Sequence, residues 1–170
     1  MIILMAGLPG TGKTTLAREL ARRTKGRVLS KDEFRHSLFI PEEIEYSSRQ
    51  DDFVLEVMLK TAGYLLSRDG DRHILLDGRT FSRRYQIENV FAAAHSMHQP
   101  VRIVECICSE EIVRQRLQSD AASGAHPAGN RDFQLYLAVK ARFEVITFPK
   151  ITIDTGDALE NCVQRALDKF

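Results

Sequence analysis

The most constraining feature of the sequence is a glycine-rich octapeptide near its start, which reads G-x-x-x-x-G-K-T from Gly7 to Thr14. A short apolar run, residues 2–6, precedes it, and a helix-forming segment, residues 15–21, follows it. A strand, a glycine-rich turn and a helix in this order are typical of the phosphate-binding loop of nucleoside triphosphate enzymes. The sequence therefore predicts a triphosphate site at this turn.

Each residue type in the loop has a physical reason. Glycine adopts backbone angles closed to other residues, so consecutive N–H groups converge on one anion. The start of the following helix adds its unpaired N–H donors and its positive dipole end. The ammonium of Lys13 reaches the outer phosphates, and the hydroxyl of Thr14 is a ligand for Mg²⁺. The residues predicted to bind the nucleotide are Gly7, Pro9, Gly10, Thr11, Gly12, Lys13, Thr14 and Thr15.

Five apolar runs alternate with segments of helical periodicity, and this alternation predicts the fold. Strands separated by helices form a parallel sheet that is covered on both faces. We therefore predict a three-layer α/β domain over residues 1–170, with a five-stranded parallel sheet at its centre. The predicted strands are residues 2–6, 27–30, 73–78, 101–108 and 151–154.

The longest predicted helix covers roughly residues 49–68, and apolar residues recur along it at helical spacing. Such a stripe more often packs in a core than binds a cofactor. The residues predicted to face the core are Phe53, Val57, Met58, Thr61, Tyr64 and Leu65.

Composition excludes several classes of protein. The 170 residues are 44% hydrophobic and 28% charged, which is ordinary for a globular domain. No apolar run approaches the roughly 20 residues that cross a membrane, and the first run is too short for a signal peptide, so we expect a cytoplasmic protein. The net charge of +1 gives no overall attraction to nucleic acid. The oligomeric state stays open.

Acidic residues end or follow two of the predicted strands. Asp77 ends the third strand, where a carboxylate suits Mg²⁺ opposite Thr14, the alternative being a turn-capping role before Gly78. Asp32 follows the second strand, where it could act as a general base toward an attacking hydroxyl. Arg35 lies one helical turn further on and could orient a substrate. An acid at a helix start with a solvated arginine explains the same spacing.

A basic cluster follows the third strand and consists of Arg79, Arg83 and Arg84. Arg79 and Arg83 are candidate substrate-binding residues, because guanidinium groups bind anions at such a strand end. The alternative is a solvated loop.

These motifs together resemble a known family over essentially the whole chain. The phosphate-binding loop, the block Ser30–Arg35, Leu76-Asp77-Gly78 and an arginine-bearing helix before residues 121–130 are similar to those of small P-loop kinases. This group includes polynucleotide 5′-kinases, chloramphenicol phosphotransferase, zeta toxins and adenylylsulfate kinases. The resemblance implies a sheet order of 2-3-1-4-5, Asp32 as general base and Arg35 as a contact to substrate phosphate.

The family also has a lid whose arginines clamp the phosphate in transfer. The resemblance places this lid at about residues 114–132 and makes Arg116 its first arginine, which would contact the nucleotide. A second arginine is usual one turn later, where this sequence has Ser119 and Asp120. Arg131 or Arg114 could replace it, because a cation must balance the charge spread over the phosphoryl oxygens.

The favoured function is therefore an ATP- and Mg²⁺-dependent kinase acting on the hydroxyl group of a small molecule. ATP is expected because the sequence lacks the guanine-recognition motif N-K-x-D. A polynucleotide 5′-hydroxyl kinase is the nearest alternative. A nucleotide-binding switch or regulatory ATPase is a second one, and it would need no acceptor base at Asp32.

Overall fold

The computed structural model describes residues 1–123 and 132–170, with side chains described as far as residue 120 in the first range. Five strands and seven α-helices alternate in these residues, with a 3₁₀ turn at Pro41–Glu43. The strands are β1 (Ile2–Ala6), β2 (Arg27–Ser30), β3 (Ile74–Asp77), β4 (Val101–Ile107) and β5 (Ile151–Asp154). The helices are α1 (Lys13–Thr24), α2 (Lys31–Leu38), α3 (Ser48–Arg68), α4 (Arg84–Ser96), α5 (Glu110–Ser123), α6 (Phe133–Ala141) and α7 (Leu159–Leu167).

All strand pairs are parallel, and the sheet order is β2-β3-β1-β4-β5. The predicted fold class and strand order are therefore confirmed. No helix in the two described ranges combines the length and apolar character that crossing a lipid bilayer requires.

The central strand, β1, supplies side chains to both faces of the sheet. Ile2, Leu4 and Ala6 belong to a core shared with α3 and α4. Ile3 and Met5 belong to a second core shared with α1 and α7. Each of these five residues is fully buried, as expected for a parallel sheet covered on both sides.

The register of β2 against β3 aligns their carboxyl ends. Ser30 is paired with Asp77. The side chain of Ser30 also accepts a hydrogen bond from the Glu33 amide at 3.4 Å and so caps α2. Because α2 begins directly after the strand, its first turn lies at the carboxyl edge of the sheet, next to the end of β3.

The predicted apolar stripe of α3 is wrong in its rotation. Met58 is buried, but Phe53 is 50% exposed and Tyr64 is 67% exposed. The face of α3 that packs on the sheet is rotated by about one residue from the predicted face, so the positions next to the predicted ones are buried. The buried residues are Gln50, Val54, Leu55, Met58, Leu59, Ala62 and Leu66.

Candidate active site

A cavity of about 720 Å³ opens at the carboxyl edge of the sheet. Its walls are formed by the glycine-rich loop, the start of α2, the loop after β3, α5, α6 and the turn after β5. Ligands of parallel α/β sheets bind at this edge. The elements predicted to hold the nucleotide and the acceptor therefore face one cavity.

The glycine-rich loop requires glycine at its first position. Gly7 has a φ of +130°, and a Cβ atom there would lie 2.3 Å from the carbonyl oxygen of Cys106. Gly12 precedes α1 in the left-handed conformation, with a φ of +76°. The predicted nucleotide-binding residues that line the cavity are Pro9, Gly10, Gly12, Lys13, Thr14 and Thr15.

Gly7 and Thr11 were also predicted to bind the nucleotide, but they are not among the lining residues of the cavity. Thr11 is 3% exposed, and its hydroxyl donates to the carbonyl oxygen of Leu8 at 2.8 Å. These two residues support the conformation of the loop and do not face the cavity.

Lys13 opens α1 and lies folded back across the loop. Its Nζ donates to the carbonyl oxygens of Gly7 at 2.8 Å and of Leu8 at 2.7 Å. The side chain is buried but lines the cavity. Its charge is therefore held where the loop would receive phosphates.

The two predicted metal ligands offer oxygen atoms that fit Mg²⁺. Asp77 is 2% exposed and lies next to the lining residue Gly78 without lining the cavity itself, and its Oδ1 has no hydrogen-bond partner among the described residues. Thr14 lines the cavity from α1. The described part of the chain holds no cluster of three or more His, Cys, Asp or Glu residues suited to a metal. Mg²⁺ commonly binds through one or two protein oxygens together with substrate phosphates and water, which is what this donor set allows.

Asp32 lies in the first turn of α2 and lines the same cavity. Its Oδ1 accepts a hydrogen bond from Nη1 of Arg35 at 3.3 Å and lies 3.9 Å from Nζ of Lys31. The structure thus brings the predicted base and the predicted arginine together, one helical turn apart.

A second carboxylate, Asp51, shares these cations. Asp51 lies in the first turn of α3 and accepts hydrogen bonds from Nη2 of Arg35 and, at 2.8 Å, from Nζ of Lys31. The ring of Tyr46 covers the Arg35 guanidinium, with the ring centroid 5.1 Å from Cζ. The sequence pattern did not indicate Asp51, since nothing local distinguishes it from the other acids of residues 42–52.

Arg79 follows β3 by two residues and lines the cavity as a buried residue, 4% exposed. Its Nη2 donates to Oδ1 of Asp52 at 2.6 Å. The hydroxyl of Tyr85 donates to Oδ2 of the same carboxylate at 3.2 Å. The alternative of a solvated loop arginine therefore does not describe Arg79.

The structure does not bring Arg83 to the cavity. Its Nη1 donates to Glu144 at 2.9 Å, and the side chain is 43% exposed. Arg84 is paired with Glu88 at 2.7 Å. The three arginines that follow one another closely in sequence are thus held apart by three different carboxylates.

Arg116 lines the cavity from α5. Its guanidinium donates to the hydroxyl of Thr155 at 3.0 Å and to the Thr155 carbonyl oxygen at 2.7 Å. The alternative clamp Arg114 stacks on Phe133 instead, with its Cζ 3.7 Å from the ring centroid. Arg131 lies outside the described residues.

Arg142 is a cavity-lining cation that the sequence did not indicate. It follows α6 and is exposed. Among the described residues its guanidinium has no hydrogen bond or ion pair. No sequence signal marked it, because α6 is brought beside α5 only by the tertiary fold.

The buried polar side-chain atoms that have no partner in the described residues belong to three residues of this edge. They are Nε of Arg35, Oδ1 of Asp77, and Nε and Nη1 of Arg79. A buried unsatisfied group costs about 1–3 kcal/mol, and more when it is charged. Concentrating this cost at one edge is typical of a binding site.

Cys106 lies beneath the loop but is not suited to nucleophilic chemistry. Burial raises the pKa of its thiol to about 12, which outweighs the opposing effect of Lys13. The thiol therefore stays protonated at neutral pH, and a protonated thiol is a poor nucleophile.

A family model described as an AAA domain matches residues 2–145. No curated protein matches the chain.

Solved structures of similar fold cover nearly the whole chain. A candidate kinase from Chloroflexus aurantiacus is 23% identical with a TM-score of 0.77, over 99% of this chain and 97% of that one. The APS kinase CysC of Mycobacterium tuberculosis, solved with AMPPNP and APS, is 16% identical with a TM-score of 0.72, over 98% and 95%. A gluconokinase from Sinorhizobium meliloti is 15% identical with a TM-score of 0.68, over 98% and 89%. At these identities the likeness shows a shared fold.

Proposed function

This chain belongs to the AAA domain family, and on that premise we propose that it is an ATP- and Mg²⁺-dependent kinase that phosphorylates a hydroxyl group of a small molecule. The observation that carries the proposal is the position of Asp32. It lines the same cavity as Lys13, and it is held by Arg35 at 3.3 Å. A switch or regulatory ATPase needs no carboxylate placed to receive a proton from an acceptor.

The nucleotide half of the proposed site is the loop from Gly7 to Thr15. Its backbone and Lys13 would bind the phosphates. Thr14 and the unpartnered oxygen of Asp77 would hold the metal together with those phosphates. When bound, Mg²⁺ supplies neutralisation of charge at the β- and γ-phosphates.

In the acceptor half, Asp32 would orient the acceptor hydroxyl and accept its proton. Arg116 lines the same cavity, and its bonds to Thr155 hold it beside the glycine-rich loop. Arg142 is the second cation available to the transferred group, in place of the missing second lid arginine. Arg131 is the alternative clamp, and residues 114–132, of which 124–131 lie outside the described residues, are the proposed lid of a single domain.

A small acceptor is favoured over a polynucleotide by the acidic segment that leads to Tyr46, a residue that lines the cavity. Glu42, Glu43 and Glu45 are exposed and lie immediately before the cavity residue Tyr46. Their carboxylates would repel a phosphodiester backbone that extended along this segment. A compact acceptor avoids this repulsion.

The decisive experiment compares phosphate transfer by the wild type and Asp32→Asn. Each protein is incubated with γ-labelled ATP and Mg²⁺, with a 5′-hydroxyl oligonucleotide or with a metabolite extract as acceptor. We expect label in the extract only, and Asp32→Asn to lose transfer while it still binds ATP.

The matched control is Glu33→Gln, which neutralises an exposed acid in the same helical turn and should transfer normally. Label on the oligonucleotide would establish the polynucleotide kinase instead. Transfer to neither acceptor would favour the regulatory ATPase, and wild-type transfer by Asp32→Asn would remove Asp32 from the mechanism.

A further inference from the structure

Arg79 carries more hydrogen-bonding capacity than the residues around it use. The side chain is 4% exposed, and one nitrogen, Nη2, is bonded to Asp52 at 2.6 Å. Its Nε and Nη1 are buried and have no partner among the described residues. A buried guanidinium with two unused nitrogens is costly unless an anion completes it.

Arg35, in α2, is a second buried arginine with a nitrogen that is unbonded within the described ranges. It is 1% exposed, its two Nη atoms are paired with Asp32 and Asp51, and its Nε is unpartnered in the described residues. Both arginines line the cavity. They follow adjacent strands whose ends are in register at Ser30 and Asp77. Both therefore belong to the part of the cavity that contains Asp32, which we call the acceptor side.

The charge of the cavity points the same way. Seven basic and four acidic side chains line it, whereas the whole chain has a formal charge of only +1. Lys13 and Arg116 stand beside the glycine-rich loop and would serve the nucleotide. Arg79 belongs to the loop after β3 rather than to the glycine-rich loop or α5, and its two nitrogens that are unbonded in the described part of the chain are available to a different anion.

We infer that the phosphate acceptor is a small acid, whose carboxylate, sulfate or phosphate group is bound by Arg79 with Arg35 beside it. That the bound molecule is the phosphate acceptor rests on the proposed kinase function. That it is an acid rests on the two arginines. Guanidinium groups bind such oxyanions through paired N–H donors. Arg79 lines the cavity and keeps its bond to Asp52 through Nη2, and a small rotation of the side chain brings Nε and Nη1 to the acid.

This arrangement also solves an electrostatic problem. An acidic acceptor is repelled by the triphosphate it must approach, and the repulsion is strong in a cavity that excludes water. A cation fixed on the acceptor side offsets that repulsion. The Asp52 carboxylate anchors Arg79 by accepting a hydrogen bond from its Nη2 at 2.6 Å, and Tyr85 orients that carboxylate by donating to it at 3.2 Å.

The first test needs no knowledge of the acceptor. The protein is saturated with Mg²⁺ and AMPPNP so that the glycine-rich loop is filled, and sodium sulfate is titrated by calorimetry at constant ionic strength. We expect saturable binding that Arg79→Gln weakens at least tenfold, with Arg79→Lys between the two. Arg68→Gln, which removes an exposed charge from the end of α3, should change the affinity less than twofold.

The second test uses the kinase reaction. A metabolite extract is divided by anion exchange into acidic and neutral fractions, and each is offered with γ-labelled ATP. We expect label only in products of the acidic fraction. For the acceptor purified from it, Arg79→Gln should raise the KM about 10- to 150-fold, the range for a hydrogen bond to a charged group. The affinity for AMPPNP, measured on the same variant, reports whether the fold and the nucleotide site are intact.

The outcomes separate this inference from the proposed function. Transfer to neutral acceptors alone would overturn the acidic acceptor and leave the kinase standing. Sulfate binding that depends on Arg79, without transfer in any fraction, would support the anion site and remove the kinase. Sulfate binding that is absent, or equal in the wild type and Arg79→Gln, would overturn the inference whatever the kinase assay shows.

Discussion

Arg116 and Thr155 are joined by two hydrogen bonds, from Nη1 to the threonine hydroxyl at 3.0 Å and from Nη2 to the threonine carbonyl oxygen at 2.7 Å. The same hydroxyl donates to the carbonyl oxygen of Thr11 at 2.9 Å. One threonine in the turn after β5 therefore connects an arginine of α5 with the back of the glycine-rich loop.

Replacing this hydroxyl should weaken the fold. Thr155→Val keeps the shape of the side chain but leaves the Thr11 carbonyl and one Arg116 donor without a partner. We expect the free energy of unfolding to fall by about 1–3 kcal/mol in urea titrations. Thr155→Ser keeps the hydroxyl and is the control. Equal stability of the two variants would show that the hydroxyl does not support the loop.

Lys13→Ala should weaken ATP binding about 10- to 150-fold, because one charged donor to the phosphates is lost. Calorimetric titration with AMPPNP and Mg²⁺ measures the effect. Lys60→Ala removes an exposed lysine from α3 and should leave the affinity unchanged. An unaltered affinity in Lys13→Ala would mean that the nucleotide does not occupy the loop.

Arg142→Gln should lower kcat about 100-fold, the scale seen when one group that stabilises transition-state charge is removed. Its exposed guanidinium has no ion-pair partner in the described part of the chain, so the substitution should not disturb folding. Initial rates at saturating ATP and acceptor measure the effect, with Arg68→Gln as the charge-matched control. A normal kcat would transfer the clamping role to Arg131.

Asp51→Asn should destabilise the protein by about 3 kcal/mol, because it leaves the buried charge of Arg35 short of a partner. Glu56→Gln breaks an exposed pair with Lys60 on the same helix and should cost less than about 1 kcal/mol. Urea unfolding of both variants gives the comparison. A loss in Asp51→Asn no larger than in Glu56→Gln would show that Asp51 is not a structural partner of Arg35.

Stability should fall at alkaline pH through Cys106. Its folded pKa of about 12 exceeds the ordinary value of 9.0, so above pH 9 the unfolded chain loses the thiol proton first. The contribution of this thiol to the free energy of unfolding is complete below pH 9. Between pH 9 and pH 12 it decreases by about 1.4 kcal/mol per pH unit. The slope of unfolding free energy against pH should be shallower in Cys106→Ala. Parallel slopes would contradict the prediction.

Local patterns predicted the parts of this protein that depend on local structure. The positions of the strands followed from these patterns and are confirmed, and the sheet order, which the family resemblance implied, is confirmed as well. Asp32 and Arg35 share a cavity with the glycine-rich loop, because strand ends in a parallel sheet meet at one edge.

The remaining features depend on contacts between elements that are distant in sequence. Asp51 and Asp52 start α3 as ordinary acids, and only the packing of α3 against α2 and the loop after β3 gives them arginine partners. The rotation of α3 is set by the same docking, so a stripe chosen by periodicity missed it by one residue. Arg83 does not line the cavity because it is paired with Glu144, which is 61 residues away in sequence.

The register of Ser30 against Asp77 has a consequence for engineering. Asp32, in the first turn of α2, and Arg79, in the loop after β3, each follow their strand's register residue by two positions. Exchanging one of these two segments alone would change the spacing between Asp32 and Arg79, whereas exchanging both together would preserve it. On the proposed function, we expect acceptor preference to move between scaffolds of this topology only when both segments are exchanged together with the first turn of α3.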